Sequence, residues 1–75
     1  MRLNDRFAVR STASLSIVTS GTVVALTRDC KDITVRLRLH NTVLHFKTNS
    51  AGRTYVAEDR ALYFVPTFDT LPTDF

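Results

Sequence analysis

The chain contains no tryptophan, one cysteine, one methionine, two glycines and two prolines in 75 residues. Each scarcity excludes something. A single thiol, Cys30, cannot build an intramolecular disulfide framework, and an unpaired thiol suits a reducing, cytoplasmic compartment. With glycine only at positions 21 and 52, there is no Gly-rich phosphate loop and no G-x-S-x-G nucleophile turn. No apolar run approaches the ~20 residues a membrane-spanning helix needs. Arg2, Asp5 and Arg6 precede any apolar stretch, which argues against a secretory signal. Asp29, Cys30 and Asp32 crowd one segment, but a lone thiol with two carboxylates falls short of the roughly four N/S ligands of a zinc site. Neither a metal nor a cofactor is expected.

What remains is ordinary globular composition: 44% hydrophobic, 23% charged, net charge +3, with a mean hydropathy of -0.02. A domain this short hides only roughly 60% of the surface of its unfolded chain, so the core must be tidy or a second copy must help, as in a homodimer. The dominant pattern is two-residue alternation. Ile33, Val35, Leu37 and Leu39 are separated by Thr34, Arg36, Arg38 and His40, an extended segment that is apolar on one face and basic on the other. β-Branched residues are frequent, and no convincing helical stripe exceeds two turns. The pattern predicts strands over 6–10, 15–19, 22–27, 32–39 and 43–48, followed by 54–57 or 62–65. Turns fall at Ser20-Gly21, Arg28–Asp32, His40-Asn41 and Asn49–Gly52.

The central hairpin is registered by charge. A His40-Asn41 loop sets Leu37 against Leu44, Val35 against Phe46 and Arg36 against His45. The even alternative sets Arg36 against Lys47, a disfavoured like-charge pair, and an odd shift turns an apolar face to water.

Three stretches, Asn4–Val9, Gly21–Leu26 with Ile33–Leu37, and Tyr55–Val65, resemble the opening strand, central hairpin and closing strands of SH3-like barrels. The resemblance is one of residue class and covers about half of the chain. It implies an all-β, antiparallel barrel of five to six strands over residues 1–66, with one short 3₁₀ or helical turn near Glu58–Ala61 and an acidic, aromatic tail over 67–75. It implies no particular function.

Between Ile33 and Ala57 stand four basic residues, Arg36, Arg38, Lys47 and Arg53, and no acid. With His45 they define a face that would attract an acidic protein surface or the phosphates of a nucleic acid; the plain alternative is a solvated face that protects a sheet from aggregation. Exposed aromatics suited to base stacking are limited to Tyr55 and Tyr63. His45 opposite Arg36 could act as a base in a small ribonuclease, but no carboxylate in the segment orients it, and a site needs nucleophile, base and stabiliser together. The tail residues Phe68, Leu71 and Phe75 either cap the barrel or anchor a partner, and Asp69 and Asp74 could fold back over the basic face. The expected function is a non-enzymatic binding protein acting on a protein partner, an inhibitor or assembly factor of the kind phages and mobile elements encode. Nucleic-acid binding through the same face is the alternative, and no membrane association is expected.

Overall fold

A computed structural model describes residues 1–48 and 51–72. The element order is β1 (Arg6–Ser11), β2 (Ile17–Leu26), β3 (Asp32–Leu37), a 3₁₀ turn (Leu39–Asn41), β4 (Val43–Thr48), β5 (Tyr55–Ala57), β6 (Leu62–Phe64), a one-turn helix α1 (Pro66–Asp69) and β7 (Thr70–Leu71). Neighbours pair antiparallel in the order β2-β3-β4-β5-β6-β1, and β1 pairs again with β2, so the sheet closes into a six-stranded barrel. β1 is divided along its other edge. Arg10 and Ser11 face Tyr63 and Leu62 of β6, whereas Arg6 and Phe7 face Leu71 and Thr70 of β7. Of the segments 54–57 and 62–65, expected as alternatives, both form, as β5 and β6, and each is needed to complete the ring.

Alternation supplies the core. Phe7, Val9, Val23, Ile33, Val35, Leu37, Phe46, Tyr55, Ala57 and Phe64 point inward. Phe64 is its hub, with ring centroids 4.5 Å from Phe7, 5.2 Å from Tyr55 and 5.3 Å from Phe46. Burial of each large side chain contributes about 1.5–3 kcal/mol relative to exposure.

Two expectations about the strands change. Residues 15–19 and 22–27 are not separate strands around a Ser20-Gly21 turn, because Ile17–Leu26 runs as one ten-residue strand. Gly21 lies inside it, opposite both Phe7 and Leu37. Space requires the glycine there: a Cβ would overlap Val35 Cγ1 and come within 3.3 Å of Leu37 Cδ2. Register shifts between Val9 and Arg10, and between Val23 and Ala25, bend the long strand so that it serves β1 and β3 in turn.

The hairpin register is displaced by two residues. Ile33 faces Phe46, Val35 faces Leu44, and Arg36 faces Val43. The loop is wider than a two-residue reversal: Leu37 N donates to Thr42 O at 2.6 Å, with His40 and Asn41 at φ 57° and 52° between them. Both residue types tolerate left-handed backbone better than most. Arg38 N donates to Ser20 O at 2.8 Å and Leu39 N to Thr19 Oγ1 at 3.1 Å, drawing the loop toward β2. Leu39 therefore leaves the inner face and is 48% exposed. Because the shift is even, the other inward residues keep their face.

The helical turn is also elsewhere. Residues 58–61 form a tight turn, closed by Arg60 N donating to Ala57 O at 2.8 Å and Ala61 N to Asp59 Oδ1 at 3.0 Å. The one-turn helix instead starts at Pro66, where a missing N–H costs nothing and φ is preset. Its last residue, Asp69, is 2% exposed. The carboxylate accepts Arg10 Nε at 3.0 Å through Oδ1 and Val65 N at 2.9 Å through Oδ2. Asp69 thus turns into β1 and does not fold over the basic face, while Asp74 lies outside the described residues. Phe68 is 80% exposed and caps nothing, Leu71 is half-buried as part of β7, and Phe75 lies outside the described residues.

Two substitutions check this packing by urea and thermal unfolding. Gly21→Ala should lose about 1–3 kcal/mol by forcing Val35 and Leu37 to move. Asp69→Ala should lose about 2–4 kcal/mol by leaving Val65 N–H and Arg10 Nε–H without their acceptor. Unchanged midpoints would contradict the described contacts.

Candidate binding face

Barrel closure decides which polar side chains meet outside. Arg6 on β1 faces Thr22 on β2, Thr22 faces Arg36 on β3, and Arg36 faces Val43 on β4. The four residues form one row across the outer surface. Adjacent strands are about 4.8 Å apart, so the Arg6 and Arg36 backbones lie ~10 Å from each other with a short threonine between them. Next along the strands, Ser20 accepts the backbone N–H of Arg38. The result is a shallow groove of about 290 Å³ whose lining includes Arg6, Arg36, Arg38, Ser20, Thr22 and Asn41 and, among the described residues, no acid. Among the described residues, the Arg36 and Arg38 side chains make no ion pair, and the Ser20 and Thr22 hydroxyls make no hydrogen bond.

The sequence-derived candidates are therefore divided. Arg36 and Arg38 stay together and gain Arg6. His45 faces Thr34, not Arg36, and its Nδ1 lies 3.2 Å from Thr34 Oγ1. Lys47 faces Asp32, and Glu58 N donates to His45 O at 3.1 Å. His45 and Lys47 thus share a hollow with Asp32, Thr34 and Glu58. Both acids lie just outside the acid-free segment, and the fold brings them back beside it. Arg53 is exposed in the segment leading into β5, beyond the end of β4 remote from Arg38.

Arg6 was missed because its partner row depends on the β1–β2 register. The available signal was its outward phase beside inward Phe7 and Val9. Among the described residues no group of three or more His, Cys, Asp or Glu is placed to hold a metal ion, and no helix is long and apolar enough to cross a membrane.

The two tyrosines are not equivalent stacking candidates. Tyr55 is 5% exposed, lies parallel to Phe64 at 9° between ring planes, and donates its hydroxyl to Cys30 O at 2.6 Å. It offers no platform. Tyr63 is half-buried beside Val56 and Arg10, away from the arginine groove. Large exposed aliphatics occur instead next to the groove: Val43 opposite Arg36, and Leu39 following Arg38, are 50% and 48% exposed. Comparison with known proteins returned no match among family models, curated proteins or solved structures.

Desolvation first, and then the charges of Cys30 and Asp29, raise the Tyr55 phenol above 10.0. A phenol raised by folding contributes stability that is complete below pH 10.0 and is lost as pH rises through the folded-state value. Spectrophotometric titration should show one phenol ionising late, with loss of structure, and Tyr55→Phe should remove that component. Ionisation of Tyr55 at the ordinary value without unfolding would contradict its buried placement.

Proposed function

We propose that this protein is a small non-enzymatic binding module that engages an acidic protein surface through the outer face of β1, β2 and β3. The observation that carries this reading is the groove whose lining includes Arg36 and Arg38 beside Arg6 and, among the described residues, no acid. Its surroundings favour a protein over a nucleic acid. Arginine is enriched at protein contact surfaces, and the exposed Leu39 and Val43 add apolar area beside it. Base stacking needs an accessible aromatic, and none of the described residues lining the groove is one. Lys47 and His45 belong to a hollow that also contains carboxylates, which shortens any continuous cationic track.

We read the barrel as SH3-like. The reading rests on its six antiparallel strands and on a helical turn that immediately precedes a short last strand lying against β1. An inhibitor or assembly factor of a mobile element is compatible with so small a module, and the unpaired thiol of Cys30 suits a cytoplasmic site of action. Nucleic-acid binding through the same arginines is the second reading, favoured by the net charge of +3.

Affinity capture from the native host, with wild-type protein and Arg36→Glu/Arg38→Glu, tests the proposal alongside electrophoretic shift with duplex DNA and single-stranded RNA. The expected result is a protein partner lost in the double variant, with no nucleic-acid shift at 200 mM salt. Nucleic-acid binding that falls on the order of 10³-fold between 50 and 200 mM salt, abolished by the double variant, would replace the first reading with the second.

A further inference from the structure

The β1–β2 hairpin ends in an apolar tip that the core does not use. Its loop is closed by Leu15 N donating to Ser11 O at 2.8 Å and Ser11 N to Ser16 O at 3.0 Å. Leu15 completes the loop at φ 61°, left-handed backbone that suits glycine or asparagine. It is also 62% exposed. A leucine at this position carries two separate costs, backbone strain and apolar surface left in water. The bulge that follows adds to the tip. Thr19 faces Val9 and Ile17 faces Arg10, so Val18 is the extra residue of β2. Ile17 and Val18 are consecutive and both exposed, where regular alternation would turn one of them inward.

Arg10 joins a fourth apolar residue to this tip. Its guanidinium donates through Nη1 to Leu15 O at 3.1 Å and through Nε to Asp69 Oδ1 at 3.0 Å, which fixes α1 beside the hairpin. Phe68, next to Asp69, is the most exposed large hydrophobic residue among those described. Four such side chains expose apolar surface on the order of 400 Å², a size at which a patch on a small monomer is often functional.

Charge decides what this patch meets. From Ser11 to Thr27 the sequence has no charged residue, and the Arg10 guanidinium is already paired with Asp69. An acidic partner finds nothing to neutralise there. Two copies of this chain carry a formal charge of +3 each and repel wherever cations face cations. The hairpin tip is a face that opposes itself without that penalty. Its rim is also self-compatible. Thr12 N donates to Ala61 O at 3.0 Å and Thr12 Oγ1 to Arg60 O at 2.9 Å, which sets the exposed Glu58, Asp59 and Arg60, carrying both signs, beside the tip. A two-fold contact places one patch against its own copy. With the serines and threonines of the loop, each partner offers roughly 600 Å², the lower end for specific association.

We propose that the hairpin tip, Leu15, Ile17 and Val18 together with Phe68, is a self-association site through which two copies of this chain form a weak symmetric dimer. It shares no residue with the arginine groove, and neither reading rests on the other.

Sedimentation equilibrium of the full chain tests this, over concentrations bracketing a dissociation constant on the order of 10⁻⁴ M, the value expected for so small a face. The constant should hold or tighten as salt is raised, because screening weakens only the repulsion between copies. Half-filtered nuclear Overhauser effects in a mixture of labelled and unlabelled chain should connect Leu15, Ile17, Val18 and Phe68 across the dimer. Phe68→Ser should weaken association by about tenfold or more, the loss of one buried apolar side chain. Leu15→Asn separates the proposal from a purely structural role. It should weaken association by about tenfold while raising the thermal midpoint of the dilute, monomeric protein by a few degrees, since asparagine accepts left-handed backbone more readily. Leu3→Ser should leave the dimer unchanged: Leu3 is exposed as well, but the next residue, Asn4, bonds Val23 far along β2 from the tip.

A chain that stays monomeric at about ten times that concentration in low and high salt, a dimer whose intermolecular contacts lie elsewhere, or a Leu15→Asn variant that dimerises like the wild type would each overturn the proposal. If the monomer instead binds vesicles of phosphatidylserine and phosphatidylcholine, and Leu15→Asn abolishes that binding, the tip belongs to a lipid surface and the dimer assignment falls.

Discussion

Everything outside the barrel depends on one backbone constraint: β1 has partners along both edges. Pairing with β2 on one side, and with β6 and β7 on the other, closes the sheet and removes the open edge along which small β proteins aggregate. Closure also orders the interior. Phe7 and Val9 enter from β1 and Phe64 from β6, so the aromatic hub exists only where those strands are adjacent. The Arg10–Asp69 pair holds the same region from outside by tying the helical turn to β1. For a chain with one cysteine and no disulfide, this combination of closure, ring packing and a buried carboxylate takes the place of covalent staples.

The same closure produces the electrostatics. Arg6 and Arg36 are 30 positions apart in sequence and become neighbours across Thr22 because β2 lies between their strands. Their mutual repulsion is modest in water and falls further with salt. At the other end of the hairpin, Asp32 and Glu58 approach Lys47 and His45. The outer surface is thus graded, cationic beside the Arg38 loop and mixed in sign toward Asp32. A ligand drawn by charge would meet the arginine end first.

Much of the barrel was legible in the sequence because period-two alternation is a local signal. Ile33, Val35 and Leu37 announce their inward phase whatever they pair with, and β4 has the boundaries its pattern suggests. The errors arose where a distant contact decided the local structure. Gly21 reads as a turn residue, and only the approach of Val35 shows that it is a spacer within a strand. Leu39 continues the alternation, yet the Thr19 and Ser20 acceptors draw its backbone out of register. The candidate face shows the same division: Arg36 and Arg38 were visible from their own strand, whereas Arg6, Asp32 and Glu58 enter through pairings that no segment specifies alone.

The central claim is that β1, β2 and β3 lie side by side in the register that joins Arg6, Thr22 and Arg36. Cross-strand nuclear Overhauser effects measure it directly. The account predicts backbone contacts from Thr22 to both arginines, and from Gly21 to both Phe7 and Leu37. Contacts displaced along β2, or a Gly21 with turn-type connectivities and no partner on either side, would contradict it.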